Sequence, residues 1–405
     1  MFEQVKVHRE VTGAGESLLL CGDGSAALEE LKQYKGKVQC VYLDPPFMTG
    51  GKFTRRRRFG AKGWRTGSPA PVYPAYEDKF RSRDAYLAML RGLVEQAHRL
   101  LKSTGVLCLH LDWRMAAYAR LICDEVFGER RFVNEIIWSY ESGGRAKKHF
   151  SRKHDVILLY ARSAKYCFDI TRVPLPRTGV RKNHMRRGVD EEGRSYRSIK
   201  SGGKTYRYYE DAPTYPGDVW TDISHLQQRD PERTGYATQK PLKLLDRLLR
   251  PLVQEGDLVC DLCCGSGTTL LAAQNLGCRF IGVDKSAEAL LVARSRLKQE
   301  NVTLLCPPVD QAAAVEATWE DGVLLLTDFR ARHKAFPEAE QIFDRMESWA
   351  AGYMTENGMV ALQHFQRSAK NPDLPLMSFL PELPGPLAVS TVDAAGRRRV
   401  YQWKE

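Results

Sequence analysis

Four consecutive residues, Asp44-Pro45-Pro46-Phe47, combine the groups needed to hold an aromatic amine. They follow an apolar run over residues 38–43, which predicts a buried strand that ends just before Asp44. Because proline fixes its own φ and restricts the residue before it, the Asp44 carboxylate and the Pro45 carbonyl should be held ready to accept hydrogen bonds. Phe47 supplies a flat ring beside them. The alternative is a purely structural turn with a buried aromatic side chain.

This combination suits the transfer of a methyl group to an exocyclic amine. Such an amine is a weak nucleophile because its lone pair is delocalised into the ring. If Asp44 and the Pro45 carbonyl accepted both amine protons while Phe47 stacked on the ring, the lone pair could attack a methyl donor in line. The four residues therefore predict a catalytic site for amine methylation.

A second element, over residues 257–269, has the pattern of a strand, a glycine-rich turn and a helix start. Gly265 and Gly267 would let the backbone approach a ligand, and the helix N-terminus would present free N–H groups. A further predicted strand ends at Asp284, which could accept hydrogen bonds from ribose hydroxyls. Leu270 replaces the third glycine of a dinucleotide fingerprint. The pattern predicts a nucleoside site of the kind that NAD and S-adenosylmethionine proteins share, against the alternative of a turn without a ligand.

Two other features carry no catalytic prediction. Cys260 and Cys263 have C-x-x-C spacing, but no second pair with zinc-finger spacing follows, so we expect neither a metal site nor a redox site. His110 ends an apolar run, and we interpret it as a structural residue near the site rather than as a general base.

Strands and helices alternate on both sides of a Pro-, Gly- and Arg-rich stretch. With 405 residues, 43% of them hydrophobic, the chain can form two or three domains. We expect an α/β fold, a Rossmann-like doubly wound sheet with an inserted module and a small C-terminal α+β domain that includes a helix over residues 338–354. The predicted divisions are 1–140 and 236–305 for the two catalytic parts, 141–235 for the basic insertion with late catalytic strands, and 306–405 for the C-terminal domain.

The net charge of +12 is concentrated in two segments. Residues 51–70, predicted to be a loop, carry seven basic and no acidic side chains, and residues 141–235 carry 20 basic and 12 acidic ones. Aromatic residues lie between these charges, a mixture that suits phosphate pairing and base stacking, although basic runs often form only a solvated surface. The segments predict a nucleic-acid partner, whereas residues 306–405, with four excess negative charges, do not.

The order of the motifs resembles the circularly permuted (beta) class of S-adenosylmethionine-dependent DNA amino-methyltransferases. The Asp-Pro-Pro-Phe element comes first, a variable region follows, and the Gly-x-Gly-Thr-Thr element comes last, preceded by Thr238-Gln239-Lys240-Pro241-Leu242. The resemblance covers roughly residues 15–300. Further matching elements are Gly22-Asp23, Tyr76-Glu77-Asp78-Lys79-Phe80, Glu135-Ile136-Ile137-Trp138, Phe150-Ser151-Arg152-Lys153-His154 and Asp218-Val219-Trp220-Thr221-Asp222-Ile223.

The resemblance implies that S-adenosylmethionine is the cofactor and that Asp44, Pro45, Pro46 and Phe47 hold the target base. The glycines of the turn would cradle the methionine part, Asp284 the ribose and Asp23 the adenine end, with Thr238 and Lys240 near the carboxylate. Cys263 and Leu262 depart from the family, which has phenylalanine and commonly proline there. The implied cofactor-binding residues are Asp23, Thr238, Lys240, Pro241, Asp261, Cys263, Cys264, Gly265, Gly267, Thr268, Thr269, Asp284, Lys285 and Ser286.

The resemblance also implies double-stranded DNA as substrate, with the target nucleotide extruded from the helix. Aspartate at position 44 is typical of N6-adenine members, whereas serine there is typical of N4-cytosine members. The alternatives are an N4-cytosine enzyme, a catalytically silent DNA-binding relative, an NAD-linked oxidoreductase and an enzyme acting on RNA. We expect DNA contacts from Lys52, Arg55, Arg56, Arg57, Arg58, Lys147, Lys148, Arg152, Lys153, Arg181, Lys182, Arg186 and Arg187.

The remaining expectations concern location and assembly. The ten cysteines lie in apolar runs, and no stretch has the length and hydropathy of a membrane span, so we expect a soluble cytoplasmic protein without a membrane partner. A cognate restriction endonuclease is one expected partner. The C-terminal region is interpreted as a homodimer or partner interface, with a packing extension of the catalytic domain as the alternative.

Overall fold

The computed structural model describes residues 2–404 apart from 27, 57, 67–71, 142–145, 177–184, 228–229, 237, 299–300, 308–312, 333–335, 337–340, 369 and 381, with the backbone alone at 55–56 and 73–77. The strands are β1 Phe2–Val5, β2 Arg9–Val11, β3 Ser17–Cys21, β4 Val38–Leu43, β5 Lys52–Arg56, β6 Val72–Glu77, β7 Leu101–Asp112, β8 Phe132–Ser139, β9 His154–Ala161, β10 Arg186–Val189, β11 Ser195–Ser201, β12 Lys204–Tyr209, β13 Val219–Trp220, β14 Leu258–Asp261, β15 Arg279–Asp284, β16 Val302–Leu305, β17 Ala313–Glu320, β18 Val323–Ala331, β19 Met346–Thr355, β20 Gly358–Gln366, β21 Met377–Phe379, β22 Leu387–Asp393 and β23 Arg398–Trp403. The helices are α1 Gly60–Thr66, α2 Arg83–Leu100, α3 Ala116–Phe127, α4 Leu242–Leu249, α5 Thr268–Asn275 and α6 Ala287–Arg296, with short 3-10 turns between some elements.

The central sheet has the order β16-β3-β15-β14-β4-β7-β9-β8-β13. Its first six strands are parallel, and β9 runs antiparallel to β7 and β8. Strands β4 and β14 are buried along their whole length, as expected for parallel strands that are covered on both faces. Since parallel strands end at one edge, β4, β14 and β15 bring Asp44, Asp261 and Asp284 to the same side of the sheet.

Helices cover both faces of this sheet. Apolar residues of α2 and α3 pack with β4 and β7 on one face, and those of α4, α5 and α6 pack on the other. The predicted doubly wound α/β sheet is therefore confirmed. The strand predicted over residues 38–43 corresponds to β4, and the strand predicted to end at Asp284 corresponds to β15. Among the described residues, no helix is both long and apolar enough to cross a lipid bilayer.

Two regions without a clear period in the sequence contain regular structure. Residues 51–70 were predicted to be a loop, which is wrong, because β5 pairs with β6 and α1 lies between them. In the insertion, β10, β11 and β12 form a separate antiparallel sheet. Gly202 and Gly203 join β11 to β12 with φ of 55° and 75°, so the Gly-Gly turn was a hairpin signal. These strands are mostly exposed and therefore lack the alternation that reveals a buried face.

The C-terminal region is built from strands in its described residues, not as the expected α+β domain. The predicted helix over residues 338–354 is wrong, since Met346–Thr355 forms β19, which is buried over its first seven residues. A strand buried on both faces is a continuous apolar run that periodicity does not distinguish from a helix. A turn at Asp393-Ala394-Ala395-Gly396 joins β22 to β23.

The C-terminal strands extend the central sheet through β2, which pairs with both β16 and β20. Beyond β20 the order is β19, β22, β23 and β1, and the sheet β17-β18-β21 packs against these strands around Trp349. The carboxylate of Glu10 on β2 lies between the guanidinium groups of Arg294 on α6 and Arg398 on β23. A buried ion cluster thus fastens the C-terminal strands to the catalytic sheet.

Candidate active site

A cavity of about 380 Å³ opens at the carboxyl edge of β4, β14 and β15. Thirteen of the predicted site residues line it: Asp23, Asp44, Pro46, Thr238, Lys240, Asp261, Cys263, Cys264, Gly265, Thr268, Thr269, Asp284 and Lys285. Residues distant in the chain, from both predicted catalytic parts, therefore meet in one site. Five predicted residues do not line the cavity: Pro45, Phe47, Pro241, Gly267 and Ser286.

The glycine turn and the acid after β15 are joined by hydrogen bonds. Asp284 Oδ2 accepts the Gly265 N–H at 2.9 Å, and Oδ1 accepts the Ser286 N–H at 2.8 Å. Burial raises the pKa of Asp284, although these two hydrogen bonds act in the opposite direction. Ser286 itself begins α6, where its hydroxyl accepts the Ala289 N–H at 3.2 Å. Ser286 therefore supports the site through the helix cap.

Gly267 and Pro241 have comparable supporting positions. Gly267 has φ of 75° and immediately precedes α5. A Cβ atom there would lie 2.6 Å from Ala293 Cβ on α6, so only glycine allows the two helices to approach. Pro241 immediately precedes α4. Both residues therefore help to position α4 and α5, the helices that carry part of the cavity wall.

Asp261 lies at the base of the cavity, where it is almost completely buried. Its Oδ1 accepts the Cys263 N–H at 3.0 Å. Burial raises the pKa of Asp261 to about 7, with further contributions from the negative charges of Asp44 and Asp284 and partial compensation by Thr269. Near neutral pH this carboxyl is therefore divided between its two protonation states, and a positively charged ligand would favour the carboxylate.

Asp23 marks the other end of the cavity from Asp44. Its Oδ1 accepts hydrogen bonds from the Ser25 N–H at 3.0 Å and the Ser25 hydroxyl at 2.6 Å, and its Oδ2 lies 2.9 Å from Lys285 Nζ. The next residue, Gly24, packs closely against the backbone of Leu262, since a Cβ on Gly24 would lie 2.3 Å from the Leu262 carbonyl oxygen. The backbone at Asp23 is thus held against the β14 end.

At the catalytic end, Lys240 Nζ lies 2.6 Å from Asp44 Oδ2. The same ammonium lies 5.1 Å from the centroid of the Phe47 ring. Among the described residues, the buried Asp44 Oδ1 has no hydrogen-bond partner. The resemblance placed Lys240 near the cofactor carboxylate, and in this structure its ammonium pairs with the predicted catalytic acid instead.

A buried hydrogen-bond chain lies beneath Asp44 and Phe47. Tyr42 OH is 2.8 Å from His110 Nδ1, His110 Nε2 is 3.1 Å from Asp155 Oδ2, and Tyr140 OH donates to Asp155 Oδ1 at 3.0 Å. The His110 ring is completely buried, and its centroid lies 6.2 Å from that of Phe47. This placement agrees with the structural interpretation of His110, because the ring orients Tyr42 and Phe47 from below.

The loop after Phe47 is held by Asp78, which the sequence offered only as part of a matching element. Its carboxylate accepts the Met48 N–H at 2.9 Å, the Thr49 N–H at 2.8 Å and the Thr49 hydroxyl at 2.7 Å. Met48 has φ of 56°, which is uncommon for a residue other than glycine. Asp78 therefore stabilises a strained turn that sets the direction of the Asp-Pro-Pro-Phe element.

Several lining residues were not predicted. Tyr236 is the most informative, because a Cβ on Gly265 would lie 3.3 Å from its ring carbon Cε1, so the ring covers the glycine turn. Its position two residues before Thr238 was the available signal. The other unpredicted lining residues are Gly24, Tyr42, Lys79, Phe80, Met89, Leu93, Gln239, Leu245, Leu262 and Ser266.

The predicted DNA-contacting residues lie on the surface wherever the structure describes their side chains. Arg58 lies 4.9 Å from the Trp64 ring centroid and Arg152 lies 3.8 Å from that of Trp113. Lys52, Lys147, Lys148 and Arg186 are exposed, Lys153 is partly exposed, and Arg187 pairs with Glu210. The side chains of Arg55 and Arg56 and the whole of Arg57, Arg181 and Lys182 lie outside the described residues.

Among the described residues, no cluster of His, Cys, Asp and Glu side chains could hold a metal ion. Cys260 is buried within β14 and Cys263 lies in the following turn, so the C-x-x-C pair spans a strand end. The described residues that line the cavity offer carboxylates, backbone amides, aromatic rings and lysine side chains.

The parallel sheet, the glycine turn and the cavity at the carboxyl edge of the strands define the class of the protein as a Rossmann-like α/β fold with a nucleoside-type site. The chain belongs to the DNA methylase family, whose model matches residues 38–295. A second model, described as a methyltransferase domain, matches residues 259–367. Family membership confirms the predicted DNA amino-methyltransferase activity and S-adenosylmethionine as its cofactor.

The names of two curated relatives agree with this family. The chain is 26% identical to Type II methyltransferase M.EcaI of Enterobacter cloacae over 68% of each chain. It is 27% identical to DNA adenine methyltransferase YhdJ of Escherichia coli K12 over 67% of this chain and 80% of that protein. A solved structure, the M1.HpyAVI–SAM complex, is 17% identical with a TM-score of 0.43 and corresponds to 69% of this chain and 98% of that chain.

Proposed function

We propose that this protein transfers the methyl group of S-adenosylmethionine to the N6 amine of an adenine flipped out of duplex DNA. The observation that carries this proposal is that Asp44 lines the same cavity as the glycine turn, Asp284 and Asp23. The strand order β3-β15-β14-β4 places Asp23 and Asp44 at its two ends, with Asp284 and the glycine turn between them. S-adenosylmethionine bound with its ribose at Asp284 would direct its methyl group toward Asp44. The target amine would then meet the methyl donor between the two ends.

The cofactor would be held by the residues that surround the cavity. The Gly265 turn gives its backbone to the methionine part, Asp284 accepts from the ribose and Asp23 lies at the adenine end. Bound S-adenosylmethionine supplies an electrophilic methyl group on a positively charged sulfur. Asp261 and Asp44 provide negative charge near that position, and the enclosing wall of Tyr236 limits the access of water.

The protein groups around Asp44 then orient the nucleophile. The Asp44 carboxylate and the Pro45 carbonyl accept hydrogen bonds from the amine, and Phe47 stacks on the base. These contacts localise the nitrogen lone pair toward the methyl group. As the N–C bond forms and the S–C bond breaks, the amine loses one proton, and Asp44 is the acceptor nearest to it. Asp78 and His110 keep this element in place from behind.

Adenine is the favoured base. Asp44 occupies the position at which the resemblance associates aspartate with N6-adenine members, and YhdJ, one of the relatives, is named a DNA adenine methyltransferase. The order of the elements, with Asp-Pro-Pro-Phe before the glycine turn, supports the circularly permuted beta class. N4-cytosine methylation is the alternative, and the type of modified base in the DNA distinguishes the two.

We assign DNA recognition to one face of the small sheet in the insertion, within the predicted module 141–235. Arg186, Ser198 and Arg207 are neighbours across β10, β11 and β12, so their side chains share one face. Lys200 lies two residues beyond Ser198 on that face. On the opposite face, Arg187 and Arg197 pair with Glu210 at 3.3 and 3.2 Å. Since this pairing neutralises charge on the opposite face, the first face is favoured for the duplex, with the basic segment from Arg55 to Arg58 on the phosphate backbone.

The proposal extends to the role of residues 306–405, to a protein partner and to the location of the protein. The domain divisions proposed from the sequence keep residues 306–405 as a C-terminal unit, and its strands extend the catalytic sheet, which supports the packing-extension role over a homodimer interface. The Type II relatives support a cognate restriction endonuclease as a partner. A DNA substrate agrees with the expected cytoplasmic location.

The test is single-molecule sequencing of DNA from a methylation-free host that expresses this chain. We expect N6-methyladenine confined to one short sequence motif. N4-methylcytosine in its place would establish the alternative base. Absence of any modification, with folded protein present and S-adenosylhomocysteine binding demonstrated, would support the catalytically silent relative.

A further inference from the structure

Lys240 occupies the place that the proposed mechanism gives to the target amine. Its ammonium pairs with Oδ2 of the Asp44 carboxylate and lies near the Phe47 ring, the two groups that would hold the flipped base. The side chains of Lys240 and Asp44 are only 12% and 17% exposed. Water therefore screens this ion pair less than it screens a pair on the surface.

The intact pair is incompatible with base binding at Asp44. Oδ2 is taken by Lys240, and only the buried Oδ1 is without a hydrogen-bond partner among the described residues. An amine approaching Phe47 and Asp44 would meet the ammonium in its path. Lys240 must therefore move, and separating it from a buried carboxylate is unfavourable unless another anion receives it.

The cofactor brings such an anion to the same end of the cavity. With the ribose at Asp284 and the methyl group directed at Asp44, the methionine carboxylate is separated from the sulfur by three carbon atoms. That length keeps it within reach of the flexible four-carbon side chain of Lys240. Lys285, another cation of the cavity wall, is already paired with Asp23 at the far end. Lys240, whose ammonium already lies at the Asp44 end, is thus placed to receive the carboxylate.

We propose that Lys240 is a positioning residue that moves from Asp44 to the cofactor carboxylate when S-adenosylmethionine binds, and thereby opens Asp44 to the target amine. This inference rests on the proposed function. Before the cofactor binds, Lys240 covers Asp44 and keeps the base out. Because binding free energies are reciprocally linked, cofactor binding strengthens base binding, and base binding strengthens cofactor binding.

Calorimetry of the full chain with two ligands tests this exchange without DNA or turnover. One ligand is S-adenosylhomocysteine, and the other is its decarboxylated form, which keeps the amine and lacks only the carboxylate. Asp44→Asn removes the competing partner of Lys240. We therefore expect the D44N variant to bind S-adenosylhomocysteine about fivefold more tightly than the wild type. The affinity of the decarboxylated ligand should not change.

Two lysine variants provide the matched comparison. In the Lys240→Met background, Asp44→Asn should give no gain in affinity, because the residue that moves is missing. In the Lys285→Met background the gain should persist, since that lysine pairs with Asp23. Thermal melts of each variant show that it is folded before its affinity is compared.

The results distinguish a failure of the lysine exchange from a failure of the proposed function. If the wild type binds S-adenosylhomocysteine but D44N shows no gain, or shows an equal gain for the decarboxylated ligand, the lysine exchange is wrong and the proposed function stands. If the folded wild type binds neither ligand, both the proposed function and the exchange are overturned.

Discussion

Asp284 Oδ2 accepts a hydrogen bond from the Gly265 N–H at 2.9 Å, and this contact joins the end of β15 to the turn after β14. The sequence presents the two residues as separate elements, a strand-ending acid and a glycine turn. The hydrogen bond makes them one rigid wall, in which the carboxylate that should meet the ribose also fixes the backbone that should meet the methionine part.

Asp44→Ala should abolish methyl transfer while cofactor affinity is kept or increased, because the change removes the main acceptor for the target amine. We expect a loss of at least about a thousandfold in the methylation rate, within the range for removing a group that acts in the transition state. Transfer of tritiated methyl groups to DNA containing the identified motif measures it. Glu29→Ala, at an exposed residue of a 3-10 turn, is the control and should keep full activity. Robust turnover by the D44A variant would contradict the catalytic assignment.

Asp261→Asn should change how stability depends on pH. Burial and neighbouring carboxylates raise the pKa of Asp261 to about 7 in the folded state. Because the folded protein holds this proton between about pH 4 and 7 while the unfolded chain has released it, the group lowers the free energy of unfolding as pH rises through that window. Relative to wild type, D261N should gain about 2–3 kcal/mol between pH 5 and pH 8. Urea unfolding at the two pH values measures this change, and a constant difference would show that the pKa is normal.

Tyr236→Ala should weaken cofactor binding by roughly tenfold, a loss of ~1.4 kcal/mol. The ring covers Gly265 and supplies an aromatic wall in a site where Cys263 stands in place of the family's phenylalanine. Tyr236→Phe keeps the ring and should bind nearly as well as the wild type. Calorimetry with S-adenosylhomocysteine compares the variants. Equal affinities for Y236A and wild type would show that the ring does not contact the cofactor.

Glu10→Gln should destabilise the protein by about 3–5 kcal/mol, because it leaves Arg294 and Arg398 as buried cations without their shared anion. The two arginines hold the pKa of Glu10 well below its usual range even though burial opposes ionisation. Glu3→Gln, which breaks an exposed pair with Lys404, should cost less than about 1 kcal/mol. Urea unfolding of both variants tests the comparison. Similar losses would mean that the buried cluster does not fasten the C-terminal strands.

Replacing Arg186, Lys200 and Arg207 together with alanine should weaken DNA binding and reduce its salt dependence by about three phosphate contacts. The matched control replaces Arg187 and Arg197, which lie on the opposite face of the same sheet and pair with Glu210. Fluorescence anisotropy across a salt series compares the two sets. The reverse result, with the larger loss in the control, would place the duplex on the other face.

The sequence by itself determined the chemistry-bearing elements and their immediate scaffold. Asp44-Pro45-Pro46-Phe47, the Gly265 turn and Asp284 could be assigned because each follows a short apolar run that forms a buried parallel strand. Such strands are specified locally by composition and by the turn residues that end them. The order of these elements also carried the resemblance to the DNA methylases, which family membership confirms.

Only the tertiary structure decided which residues meet across long separations. Lys240 and Asp44 are 196 positions apart, and their ion pair arises because the segment before α4 passes the end of β4. The buried strand β19 had no period to distinguish it from a helix, and its pairing with β20 and β22 resolved the choice. Tyr236 lies in the same segment before α4, and its ring reaches the glycine turn only through the fold. These features depend on packing between elements, and packing acts on side chains brought together by the fold rather than by their spacing along the chain.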